Sequence, residues 1–404
     1  MTDLPASPRT LVVGAGLLGL ATARQLQRTR PDDEVVVLDK EPTVAAHQSS
    51  HNSGVVHAGV YYPPGSLKAR VCRRGVGLLR DYTSGRGIPF VEVGKVVVAV
   101  DRADEARLAE VHRRSLANGV PGTAMVGPDG LRDLEPHVRG RAALHSPSTA
   151  ITDFPAVARA LAVDVVAAGG RVLTGHEVVG IRPLRSGVEV LVDHAGERTR
   201  LAADRLVLCG GLHVDRLARM AGGAADPRIV PFRGEYHLLT PERSDLVRGL
   251  VYPVPDPRLP FLGIHLTRRV DGTVDVGPNA VPAASREGYR WRDVDARDLL
   301  DTVTWPGSAG VAARHWRSGV AEVAGSLSVR RFADAARRYV PSLADADLVP
   351  GGAGVRAQAV GRDGLLVDDF VIERMGPVTA VRNAPSPAAT SSLAIAEEVV
   401  AGLV

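Results

Sequence analysis

The stretch RTLVVGAGLLGLATARQLQ, Arg9–Gln27, decides how the rest of the chain is read. An apolar run, Leu11–Val13, runs straight into a glycine turn and then a helical pattern. Gly14, Gly16 and Gly19 stand in G-x-G-x-x-G spacing. In that spacing the first glycine permits the tight turn, the second lets the backbone approach a pyrophosphate, and the third lets helix and strand pack closely. Leu17 and Leu18 open the helix, where free N–H groups and the positive end of the dipole suit phosphate. A second apolar segment, Val35–Leu38, ends in Asp39 and Lys40. The Asp39 carboxylate is placed to accept hydrogen bonds from ribose hydroxyls. The fingerprint fits NAD and FAD alike, and no second copy of it occurs. Farther on, DRLVLCGGLHVDRLARM, Asp204–Met220, repeats a strand, a glycine pair (Gly210, Gly211) and a helix start. It reads either as a second approach to the same nucleotide or as another βα unit.

Composition narrows the class. A chain of 404 residues, 45% hydrophobic and 23% charged, is an ordinary globular protein with room for two domains. Cys72 and Cys209 are its only cysteines, and no Cys-x-x-Cys occurs, so neither a disulfide framework nor a thiolate metal site is expected. The opening MTDLPASPRT is polar and shows no signal peptide. No apolar run approaches the ~18 residues of a transmembrane segment. A cytoplasmic protein is expected, with peripheral contact to the inner face of the membrane left open. The net charge of +4 is compatible with an anionic substrate, but aromatics at 4% and the lack of interleaved basic and stacking residues argue against nucleic acid.

The segment HQSSHNSGVVHAGVYY, His47–Tyr62, carries three histidines among small hydroxyl and glycine residues. His47 and His51 are four apart, as in a helical metal pair. Yet Ser49, Ser50, Asn52, Ser53 and Gly54 are poor helix formers, and there is no H-E-x-x-H glutamate, so no metal site is assigned. Small residues with rotatable donors suit a segment that threads past a flat polar ring. His57, flanked by Ala58 and Gly59, has room beside its imidazole for a ligand and a pKa suited to taking a hydroxyl proton. A buried structural histidine is the alternative.

The longer string HQSSHNSGVVHAGVYYPPGSLKARVC resembles the signature of L-2-hydroxyglutarate oxidases/dehydrogenases, FAD enzymes of the D-amino-acid-oxidase-like superfamily. The likeness recurs at PFRGEYHLL, YPVPDPRLPFLGIHLTRRVDGTVDVGPNAV, GVRAQAV and NAPSPAATSSLAIA, so it spans nearly the whole chain. It implies FAD rather than NAD, and oxidation of L-2-hydroxyglutarate to 2-oxoglutarate with His57 as base. A dicarboxylate calls for cationic clamps, and arginine's planar fork matches a carboxylate. Arg356 is expected at the C1 carboxylate and Arg233 or His265 at the distal one, with Tyr236 as a further polar group. The expected cofactor set adds Val178, Gly354, Pro387, Ala388, Ala389 and Thr390. The electron acceptor is oxygen or a quinone. Oxidation of another hydroxy acid, glycerol 3-phosphate or an amino acid is the alternative within the superfamily, and a non-catalytic or RNA-modifying flavoprotein the alternative outside it.

The expected architecture is mixed α/β: a Rossmann-like FAD-binding domain (1–92, 145–230 and 348–404) and an antiparallel-sheet substrate domain (93–144 and 231–347). Phe261–Arg268 and Thr273–Gly277 alternate around Asp271-Gly272, a hairpin signal. The Ala309–Val340 region reads as helices outside that sheet. At the C-terminus Ser386 is expected as N-cap and Pro387 as first helical residue, with Leu393, Ala396, Val400 and Leu403 on one apolar face.

Overall fold

The computed structural model describes residues 9–403; residues 1–8, where a signal peptide was sought in the sequence, lie outside it. Thr10–Val13 is buried along its whole length, as a strand covered on both faces must be. It pairs in parallel with Val35–Leu38 on one side and Arg205–Leu208 on the other. Arg171–Leu173 and Val378–Asn383 extend the parallel sheet, and Val371–Met375 closes one edge antiparallel. One face is covered by the helices Leu17–Thr29, Phe154–Ala167 and Ala388–Ala401, which bury Leu20, Leu26, Phe154, Leu161, Ile395 and Val399 against Val12 and Val37. The other face packs Leu11, Val36 and Leu206 against Val190, Leu201 and Leu217 of a three-stranded antiparallel sheet and the Val214–Met220 helix. This is the Rossmann-like arrangement expected.

A second, nine-stranded sheet holds the hairpin. His265–Arg268 pairs antiparallel with Val274–Gly277, but Phe261 lies in the loop before it. Leu250–Pro253 joins the other side of that pair and runs parallel to Lys95–Ala99. The two faces of this sheet differ. Val96, Val98, Val251, Leu266, Val274 and Val276 form an apolar face under Phe332, Ala333 and Ala336 of the Val329–Arg337 helix. Because strand residues alternate, the residues between them point the other way. Lys95, Tyr252, His265, Thr267, Asp275 and Tyr236 thus make the polar part of the opposite face, beside an apolar part where Val97, Ala99 and Leu144 pack with Ala58, Val60 and Leu108.

The longest strands, Arg228–Leu239 and Leu348–Val360, pair antiparallel along most of their length. The boundary expected at 230/231 falls inside the first, and the second, placed by sequence in the cofactor domain, is hydrogen-bonded into the larger sheet. No helix among the described residues is long and apolar enough to cross a membrane.

Candidate active site

A cavity of about 860 Å³ runs from the glycine turn, between the two sheets, to the polar residues of the larger one. At its nucleotide end Gly14 has φ +108°, and a Cβ there would come within 2.4 Å of the Cys209 carbonyl. A Cβ on Gly19 would lie 1.9 Å from the Gly14 carbonyl, so Gly19 permits the helix–strand crossing and does not line the cavity. Asp39 accepts from the Ala15 N–H at 2.6 Å and the Glu41 N–H at 2.9 Å, and with Lys40 it lines the cavity. Ser49 Oγ accepts from the Leu17 N–H at 2.9 Å, tying the histidine segment to the start of the helix. Gly16, Leu18, Val178, Gly210, Gly211 and Gly354 complete this end.

His51, Asn52 and Ser53 line the wall, whereas Ser50 and Gly54 do not. Ser50 Oγ turns away to donate to the Ala45 carbonyl at 2.6 Å. Gly54 makes a turn at φ +71°, with the Thr152 carbonyl 3.0 Å from where a Cβ would stand. Glu41, His47 and Glu287 do come together, but around Lys40. The Lys40 ammonium pairs with both carboxylates, and His47 bonds Glu41 and the Tyr289 hydroxyl, each at 2.9 Å. His51 stacks on Tyr289, ring centroids 4.2 Å apart. Two of the three histidines are thus wall and latch.

The third is different. His57 faces the cavity beside Tyr236, Tyr252, Phe261, His265 and Arg356. Its backbone N–H donates to Thr390 Oγ1 at 3.1 Å, and its carbonyl accepts from Cys72 Sγ at 3.1 Å. Burial, aided by the nearby Lys95 and Lys68 charges, holds the imidazole well below its usual pKa, so at neutral pH it is an unprotonated base. Its closest side-chain partner is Ser386, whose Oγ is 3.4 Å from Nε2. That contact corrects the expected cap: Pro387 occupies the N-cap, the helix begins at Ala388, and no side chain caps it. Pro387, Ala388, Ala389 and Thr390 still line the cavity, presenting the helix N-terminus to it.

Arg356 has no ion-pair or hydrogen-bond partner among the described residues; its guanidinium lies over the Phe261 ring at 4.6 Å. Burial lowers its pKa, yet a guanidinium stays charged. His265 is pulled down to about 4 by burial and is neutral. Tyr236 is pushed up to about 12 and keeps its proton.

Arg233 is not brought into the site. Arg356 pairs with Phe232 and Gly354 with Gly234, so Arg233, opposite Val355, projects to the other face. It is 2% exposed, bonded to Glu235 through Nε at 3.0 Å and stacked on Trp291 at 4.4 Å. Tyr236, two residues beyond Gly234, stays on the cavity side by alternation. Sequence reading missed Tyr252 and Lys95. The signal was there in KVVVA, where a lysine opens an otherwise apolar strand, and it needed the sheet register to be interpreted.

The FAD dependent oxidoreductase family model matches residues 9–401. The chain belongs to that family. The human protein named L-2-hydroxyglutarate dehydrogenase, mitochondrial, is 44% identical over 400 residues, covering 95% of this chain and 86% of the relative. The L-2-hydroxyglutarate dehydrogenase of Indibacter alkaliphilus is 42% identical over 388 residues, 96% of each chain. The resemblance read from the sequence is borne out. Among solved structures, the FAD-bound L-alpha-glycerophosphate oxidase of Mycoplasma pneumoniae shares the fold, with a TM-score of 0.78 at 21% identity, covering 98% of this chain and 94% of that one. The cavity fits FAD: its glycine cradle would be filled by any Cβ, its acid follows the second strand, and a helix N-terminus faces its far end.

Proposed function

We propose that the protein oxidises L-2-hydroxyglutarate to 2-oxoglutarate. The observation that carries the reading is a cavity-facing His57 and an arginine, Arg356, on the same cavity with no counter-ion among the described residues, in a chain 44% identical to a named L-2-hydroxyglutarate dehydrogenase. FAD, when bound, supplies the acceptor for a hydride. Arg356 holds the C1 carboxylate in a bidentate fork, which fixes C2 beside His57. The His57 imidazole takes the C2 hydroxyl proton as the C2–H electron pair departs, leaving a carbonyl. Tyr236, kept protonated, donates to the substrate. The helix terminus at Pro387–Thr390 favours negative charge where it develops. Electrons pass on to oxygen or a quinone. Peripheral membrane contact is supported by Leu300, Val303, Trp316 and Val320, exposed among Arg297, Arg314 and Arg317.

Anaerobic addition of each hydroxyglutarate enantiomer to the purified yellow protein tests the reading. The L form should bleach the flavin and the D form should not. His57→Ala should keep FAD but bleach ~10²–10⁴-fold more slowly, the range for general acid–base catalysis. Bleaching by glycerol 3-phosphate or an amino acid, but not by hydroxyglutarate, would move the enzyme to the alternative within the superfamily.

A further inference from the structure

With Arg233 turned away, the far end of a dicarboxylate has lost its expected partner. We propose that Lys95, on the cavity-facing side of the larger sheet beside Tyr252 and His265, supplies the charge that recognises the far carboxylate. The inference rests on the reading of the substrate given above.

Lys95 is 1% exposed. Among the described residues its ammonium has no hydrogen bond and no carboxylate partner; it sits over the Tyr252 ring at 4.1 Å and the Tyr61 ring at 5.3 Å. The Tyr61 hydroxyl beside it is also buried without a partner. A buried charge in that condition is costly, and proteins normally pair it. No carboxylate acts on Lys95; Asp275 is taken by Arg269 and Asp368 by Lys68. Positive character therefore prevails here, with Arg356 on the cavity wall and Lys95 behind it, and His265 feels both. One cation on the wall and a second behind its aromatic lining suit a molecule with a carboxylate at each end.

Sheet register makes the placement specific. Lys95 lies opposite Leu250 in the parallel pair, on the same side as Tyr252, whose ring stacks on His265 at 4.0 Å. Tyr252 and His265 line the cavity, and Lys95 stands directly behind the Tyr252 ring. In a site shielded from water, Coulombic attraction acts across that thickness.

The groups facing Lys95 are Tyr61, Tyr252, Cys72, His57, His265 and, farther off, Lys68 and Arg356. Burial raises the two tyrosines and pushes Cys72 up to about 12, while the histidines are driven below 6.5. Burial brings Lys95 down to about 7.

The test is calorimetric binding of glutarate and butyrate to the FAD-loaded protein. Wild type should prefer glutarate, and Lys95→Met should weaken glutarate by roughly 10- to 100-fold, the Coulombic value of one unit charge acting across a ring's thickness, while butyrate binding stays within about threefold. In the wild type, the preference for glutarate should shrink as pH rises from 6 to 9, through the value of about 7 at which the ammonium is lost. This second measurement needs no variant and decides the matter if Lys95→Met does not fold. Equal weakening of both ligands, or a preference independent of pH, would overturn the role of Lys95. Failure of hydroxyglutarate to bleach the flavin would instead overturn the substrate assignment.

Discussion

The two sheets use their faces differently. The parallel sheet is apolar on both sides, and it presents to the cofactor mainly backbone from the turns at its strand ends. The larger sheet is wholly apolar on one side; the other mixes an apolar part, Val97, Ala99 and Leu144, with Tyr252, His265 and Tyr236 on the cavity and Lys95 behind them. Nucleotide recognition is therefore a property of main-chain geometry, intolerant of added atoms. The groups proposed to recognise the substrate are side chains from separate strands, each of which can be exchanged at a graded cost.

The sharpest way to break that contrast is Gly16→Val. A Cβ at Gly16 would already stand 2.9 Å from Ser49 Oγ, and the valine methyls would fill the approach to the helix N-terminus. The variant should fold but purify colourless, with no FAD released on denaturation. A yellow Gly16→Val protein would show that the main chain there is not the cradle.

On the substrate side Arg356→Lys keeps the charge and loses the fork. Turnover of hydroxyglutarate and of 2-hydroxybutyrate should both fall, by roughly 10- to 150-fold for a lost charge-assisted contact. Steady-state kinetics with both substrates would check it, and an unchanged kcat/KM would remove Arg356 from the C1 position.

Arg233→Ala should behave otherwise. Glu235 would lose its guanidinium partner and Trp291 its stacking partner, so the melting temperature should fall. The ratio of kcat/KM for hydroxyglutarate to that for 2-hydroxybutyrate should stay within ~3-fold of wild type, well under the value of one charge-assisted hydrogen bond. A selective loss of hydroxyglutarate would return Arg233 to the clamp.

The smallest effect expected is a gain. Lys95→Met removes a buried, unpaired charge and should raise the melting temperature by ~2–5 °C. The sign in pH follows from linkage. The folded protein holds the Lys95 proton only below about 7, whereas an unfolded lysine holds it to about 10.5. The penalty that methionine relieves is therefore full below pH 7 and fades as pH rises toward 10.5. Melting curves at pH 6.5 and 9.5 would show it; an equal gain at both would mean that Lys95 is not buried as a charge.

How much of this was legible in the sequence depended on the distance over which each interaction acts. Gly14, Gly16, Gly19 and Asp39 carry their meaning locally, because a tight turn and its following helix are decided within a few residues. The strands at Thr10–Val13 and Val35–Leu38, the hairpin around Asp271-Gly272 and the apolar face of the last helix were readable for the same reason. His57 was singled out by the space that its small neighbours leave. What sequence could not decide was which side of a strand faces the cavity. Arg233 in PFRGEYHLL and Arg356 in GVRAQAV look alike as single arginines among mostly uncharged residues; one residue of register between Phe232–Arg356 and Arg233–Val355 sends them to opposite faces. Lys95 gained its place beside Tyr252 only through pairing between segments about 155 residues apart. Ser386 failed as a cap because its segment turns toward His57, a partner 329 residues away. Local geometry was written in the chain; the faces of the sheets, and therefore the substrate's second contact, were decided by tertiary pairing.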